Sequence, residues 1–270
     1  MRSGLARVEL THLLRRDRWL TIGMLALVVA ITGAYVLRGA GMDMSALDMT
    51  RMARDMEMPQ PEWTLRYAAL MFAMWWLMMM AMMLPSATPV LLLVAALNRR
   101  AAPGRQPYGA TALFASGYLL AWAGFSLVAV AAQAWLAAQD SLSSMLHVGG
   151  GALAGGMLLA AGLWQLTPLK RACLRHCRSP VHFLAAHRRS GILGALGMGA
   201  EHGAYCVGCC WMMMALLFVG GIMNLCWIAG LAGYALAEKV LPGGERVARI
   251  AGAILIAGGL VLLASLPLRG

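Results

Sequence analysis

The stretch Gly191–Val219, GILGALGMGAEHGAYCVGCCWMMMALLFV, is long and apolar enough to cross a bilayer as one helix, yet it carries His202, Cys206, Cys209 and Cys210 in its middle. A hydrocarbon core takes about 20 residues of α-helix to span. A polar or ionisable side chain at that depth is costly without a partner and marks a functional site by default. At about 100° per residue, Met198, His202, Cys206, Cys209 and Met213 share one narrow stripe, with Cys210 at its edge. Glu201 falls on a flank, as an outer partner for the imidazole. Thiolate and imidazole together suit soft or borderline transition metals. The bland reading of His202 alone is a packing residue; the thiols one and two turns away shift the balance toward a metal.

Working outward, the whole 270-residue chain has this character: 61% of it is apolar, 12% is charged, and the mean hydropathy is +0.71. A soluble domain carries about 25% charge. The reading is an all-α, polytopic transmembrane helix bundle of about seven spans, at roughly 19–37, 64–97, 109–138, 149–167, 191–219, 222–238 and 248–267. Residues 1–270 form a single integral membrane domain in this reading, because the largest outer loop, 38–63, is too short to bury its own core. Pro85 and Pro89 are expected to kink the long second span, since each removes a backbone donor. Trp19–Leu37 is too long for the core of a signal peptide and reads as a first span. The pairs Gly151/Gly155 and Gly199/Gly203, each four residues apart, are candidates for close helix contacts or ordinary membrane-helix glycines.

Seventeen of the 22 basic residues collect in alternate loops, before span 1 and after spans 2, 4 and 6. Positive charge gathers on the cytoplasmic side, which places the N-terminus inside. The net charge of +11 therefore orients the chain in the lipid bilayer and does not signal nucleic acid. The outer side carries Asp43, Asp48, Asp55, Glu57, Glu62 and Asp140 against five arginines.

Methionine is concentrated in two places. Span 2 holds seven between Met71 and Met83, of which Met71, Met74, Met78 and Met82 share a face. Such a stripe alone is flexible core packing. Measured from the outer surface at 1.5 Å per residue, however, Met78 and Cys206 both lie roughly 20 Å in, so thioethers of span 2 and thiols of span 5 stand level. Cys226 in span 6 is a further candidate. The outer loop carries Met42, Met44, Met49, Met52, Met56 and Met58 among acidic residues. Exposed methionines there are no core, and thioether favours Cu(I) among common metals. The alternative is a loop lying on the membrane surface. Inside, the basic segment 168–190 contains Cys173-Leu-Arg-His176-Cys177, where neighbouring Lys170, Arg171, Arg175 and Arg178 are expected to favour thiolate. The alternative is a basic anchor with incidental cysteines. With thiols in the cytosol and the bilayer, a secreted disulfide framework is not expected.

Several of these segments resemble a bacterial family known as predicted metal-binding integral membrane proteins. They are Trp76–Pro85, Tyr118-Leu-Leu-Ala-Trp122, Gln165-Leu-Thr-Pro168-Leu-Lys170, Cys173–Cys177, His202–Trp211, Met223-Asn224 with Trp227, and Glu238-Lys239. The resemblance runs from span 2 to the end of span 6 and implies a metal-binding membrane protein without naming the metal.

The functional expectation is an inner-membrane protein of a bacterial cell that binds a soft metal, Cu(I) before zinc, and transfers or delivers it. Met42, Met44, Met56 and Met58 collect the ion outside; Met78, Met82, His202, Cys206, Cys209 and Cys210 hold it in the bilayer; Cys173 and Cys177 exchange it inside. Its partners are the metal ion and a metallochaperone or apo-metalloenzyme. The alternative is a membrane redox enzyme or an assembly factor with a bound copper site, so whether the chain is an enzyme stays open. One spanning imidazole is few for oxygen chemistry. No G-x-x-x-x-G-K-[ST] phosphate loop is present, so the chain carries no sign of driving transport with ATP.

Overall fold

The computed structural model describes residues 2–40, 45–51, 62–101, 108–142, 148, 150–186, 189 and 191–266, with the backbone alone for 2–18, 49, 101, 108 and 186. Among them the chain forms eleven helices: α1 (Arg2–Leu37), α2 (Ala46–Arg51), α3 (Leu65–Ala101), α4 (Tyr108–Ala138), α5 (Gly151–Leu166), α6 (Pro168–Arg178), α7 (Pro180–Ala186), α8 (Gly191–Ala215), α9 (Leu217–Gly220), α10 (Leu225–Val240) and α11 (Gly244–Ala264). The all-helical expectation holds. Five segments are long and apolar enough to cross a membrane: Trp19–Leu37, Leu65–Arg100, Gly109–Ala138, Gly191–Gly220 and Gly244–Ala264. A sixth is added if α5 and α6, bent by 64° at their junction, count as one span. The expected seven also include α5 and α10, which have 16 residues each. A helix of that length is about 24 Å long, against a hydrocarbon core of about 30 Å.

The segment read as a basic inner loop is largely helical. Thr167 caps α6 by accepting from the Lys170 amide at 3.2 Å, and Pro168 takes the first helical position, where its missing N–H is no loss. α3 continues as helix through Pro85 and Pro89.

α8 is the central element. It packs on α4 at backbone distance because Gly199 lies against the Phe114 carbonyl, and a Cβ on Gly203 would stand 2.6 Å from that of Ala121. α5 packs on α11 in the same way: a Cβ on Gly155 would stand 3.3 Å from the Gly259 carbonyl oxygen and 2.7 Å from Leu263 Cγ. Both glycine pairs thus stand at close helix contacts, the small-residue packing that membrane helices use where lipid supplies no hydrophobic drive between them. The methionine face of α3 turns inward, with Met71, Met74, Met78, Met79, Met82 and Met83 all buried. At one end of this core Trp75 Nε1 donates to Gln133 Oε1 (2.9 Å), and Gln133 Nε2 donates to Met71 Sδ (3.4 Å). At the same end α2 is tied to the start of α10, the Leu225 amide donating to Thr50 Oγ1 (3.0 Å).

Candidate metal centre

Helix periodicity on α8 buries His202, Cys206, Cys209, Cys210 and Met213 together, as the stripe required. What the stripe did not reveal is what faces it. α6 lies across α8 at Gly208, where a Cβ would meet Cys173 Sγ at 2.9 Å. The glycine lets the second helix seat closely, helped by His176 stacking on Tyr205 with ring centroids 4.2 Å apart. Cys173 and Cys177, one turn apart on α6, are thereby aimed at α8. Cys177 Sγ stands 3.9 Å from Cys209 Sγ and also reaches Cys206. Two sites expected at different depths, the inner Cys173/Cys177 pair and the α8 thiols, are brought together.

From α3 comes Met83, whose Sδ is 4.0 Å from Cys210 Sγ. Met78 and Met82 are buried in the methionine core of the same helix. From α4 comes Tyr118, its hydroxyl 3.1 Å from Cys206 Sγ and 3.4 Å from the Met83 carbonyl. From α10 comes Lys239, whose Nζ contacts Cys206 Sγ (2.9 Å), Ser86 Oγ (3.1 Å) and Met83 Sδ (3.9 Å). The Cys209 and Cys210 thiols meanwhile donate to the Cys206 carbonyl at 3.1 and 2.9 Å. The centre therefore stands level with the last turn of α10, at the end where the 16-residue helices stop.

The basic residues of α6 do not serve its thiols. Lys170 is buried in an ion pair with Glu238 Oε1 (2.6 Å) and also donates to Gln165 Oε1. Tyr234 donates to the same carboxylate oxygen (3.1 Å). Arg178 caps the end of α10 through the carbonyls of Glu238 (3.4 Å) and Leu241 (2.7 Å). The adjacent Glu238 and Lys239 thus reach opposite ways, one to α6 and the other to α8. The cation beside the thiols was missed by sequence reasoning; the Glu238-Lys239 pair belongs to the family resemblance, but as a charged pair closing an apolar run it has the ordinary look of a helix anchored at the membrane face.

His202 lies among Phe114, Tyr118 and Phe183, with ring centroids 6.0, 6.1 and 5.2 Å away. Its Nδ1 is buried without a hydrogen-bond partner among the described residues. Glu201 pairs with Arg189 at 3.5 Å. Cys226 is exposed at the opposite end of α10 from Lys239, about 20 Å away along the helix, and does not join the thiols. Met42, Met44, Met56 and Met58 lie outside the described residues.

Among the described residues no group of three or more His, Cys, Asp or Glu is placed to hold a metal ion. A closed tetrahedral zinc site takes four such donors. The sulfurs stand in pairs instead, Cys177 Sγ 3.9 Å from Cys209 Sγ and Met83 Sδ 4.0 Å from Cys210 Sγ, and thiol with thioether is a soft donor set that suits copper. Cu(I), a soft ion that two thiolates can hold, fits that set.

The family model described as PpoB2, copper chaperone, matches residues 72–262. The chain belongs to the PpoB2 copper chaperone family. The match takes in α3 from Phe72 onward, α4–α10 and α11 as far as Leu262, and so every sulfur of the centre. A copper-handling role follows at the level of the family. No curated protein and no solved structure matches the chain.

Proposed function

We propose that this PpoB2-family chain is a multi-pass protein of the bacterial inner membrane that binds Cu(I) as cargo at the α6/α8 thiols and delivers it to an apo-protein partner. The observation that carries this reading is the meeting of the Cys177 thiol of one helix with the Cys209 thiol of another, with the Met83 sulfur beside the neighbouring Cys210. Soft donors at the end of a bundle, where short helices stop, suit an ion that must enter and leave. His202, one turn from Cys206 with an unpartnered Nδ1, is the reserve ligand, and Cys173 is the outermost thiol of the set. Met78 and Met82 line the buried methionine face leading toward Met83, and Met42, Met44, Met56 and Met58 gather the ion on the outer side.

In this reading residues 1–270 make one membrane domain, with seven spans and the N-terminus inside. The bundle end bearing Lys239, Arg178 and Arg189 then faces the cytoplasm. Delivery is favoured over redox catalysis because imidazole is scarce beside the thiols: His202 is held in reserve, and His176 Nδ1 pairs with the Ala172 carbonyl at 2.9 Å. Cu(I) is favoured over zinc by the Met83 thioether beside the thiols, a ligand for which zinc has little use.

The test is metal content by mass spectrometry of reduced, detergent-purified protein from cells supplied with copper and zinc, beside the double variant Cys206→Ser/Cys209→Ser. Near-stoichiometric copper in the parent, lost in the variant, supports the reading. Equal copper in both removes it.

A further inference from the structure

Lys239 is 8% exposed, and its polar partners are Cys206 Sγ, Ser86 Oγ and Met83 Sδ. None is a carboxylate, and the nearest in sequence, Glu238, is taken by Lys170. A buried ammonium needs a countercharge, and here the atom at 2.9 Å is a cysteine sulfur. The ammonium is also fixed in place: Ser86 holds it from α3 at 3.1 Å while its stem runs from the last turn of α10. The donor set therefore has the Lys239 amine fixed against it.

The ammonium charge constrains the cargo. With two thiolate ligands, as the Cys177/Cys209 pair would supply, and Lys239 as the ammonium, the site before metal carries a net charge of −1. Adding a monovalent ion brings the buried site to zero, whereas adding a divalent ion leaves it at +1 in surroundings where an uncompensated charge is expensive. Without the lysine the preference inverts, because two thiolates alone neutralise a divalent ion. We propose that Lys239 is the specificity-determining residue of this centre: by standing in the sulfur set as a fixed cation, it admits a soft monovalent metal and rejects a divalent one. The inference rests on the proposed Cu(I)-binding reading and adds to it the residue that decides metal charge.

The experiment is an anaerobic competition titration of the reduced, full-length protein in detergent with Cu(I) and with Zn(II), for the parent, Lys239→Met and Lys239→Arg. The expected result is that Lys239→Met shifts the Cu(I)-to-Zn(II) affinity ratio toward zinc by on the order of a hundredfold, the size of one unit charge removed at close range in a partly shielded interior. Lys239→Arg, which keeps the charge, holds the parent ratio. A Lys239→Met protein with the parent ratio overturns the proposal, as does a Lys239→Arg protein that shifts like Lys239→Met. Should Lys239→Met not fold, the parent alone decides: copper-free parent that takes up no stoichiometric zinc supports the proposal, and parent that saturates with one tightly held zinc overturns it. Parent that binds neither metal strikes at the copper-binding reading itself, and the role of Lys239 falls with it.

Discussion

Replacing Glu238 with glutamine removes the countercharge of Lys170 without changing the shape of the side chain. The pair stands at 2.6 Å with both side chains buried, so water cannot take over the neutralisation. Tyr234 and Gln165 stay as hydrogen-bond partners, but neither carries a charge. Breaking a buried pair from one side costs about 3–5 kcal/mol, because it leaves the other ion uncompensated. The Tyr234 hydroxyl can still donate to the glutamine carbonyl, which places Glu238→Gln toward the lower end, about 3 kcal/mol. Lys170→Met should cost a similar amount by stranding the carboxylate, whose Oε2 already lacks a hydrogen-bond partner. The double variant Lys170→Met/Glu238→Gln has no stranded charge, and should recover at least about 2 kcal/mol relative to the sum of the singles. The assay is a double-variant cycle read by reversible unfolding in mixed detergent, followed through the tryptophan signal. Singles that cost less than about 1 kcal/mol, or a double variant no better than additive, would refute the buried-pair account.

Other expectations concern the centre and its packing. Met83→Leu keeps the volume but loses the sulfur 4.0 Å from Cys210; Cu(I) affinity should fall by about tenfold in chelator competition, with the unfolding midpoint unchanged. His202→Phe should raise stability by about 1 kcal/mol, because it removes a buried unpaired nitrogen from an aromatic cage, while lowering copper retention. A gain in stability with copper fully retained would make His202 a packing residue. Gly208→Ala puts a methyl group 2.9 Å from Cys173 Sγ; it should lift α6 from α8 and raise the alkylation rate of Cys177, read by mass spectrometry. Gly199→Leu drives a side chain into the Phe114 backbone; loss of folded protein on size exclusion is the expected result.

What the sequence revealed divides by the range of the interaction. The α8 stripe was legible because it is local: 3.6 residues per turn decide which of His202, Cys206 and Cys209 share a face, and all three are buried. The close-packing glycines were legible for the same reason. The meeting of α6 with α8 was not, because it depends on the 64° turn after Leu166, and Cys173 and Cys177 therefore read as a separate inner site. Within the methionine run, periodicity singled out Met78 and Met82, yet the sulfur beside Cys210 belongs to Met83, one position round the helix. Lys239 was hidden by its address. A lysine at a helix end ordinarily reaches for water, and only the three-dimensional position of Ser86 and Cys206 reveals that this one turns inward.

The 16-residue lengths of α5 and α10 bear on the lipid as well as on the fold. A bilayer flanking helices about 6 Å shorter than its own core thins to match them, at a cost of fractions of a kcal/mol per Å. For the proposed membrane protein, such thinning would bring the headgroups closer to the end of α10 that carries Lys239.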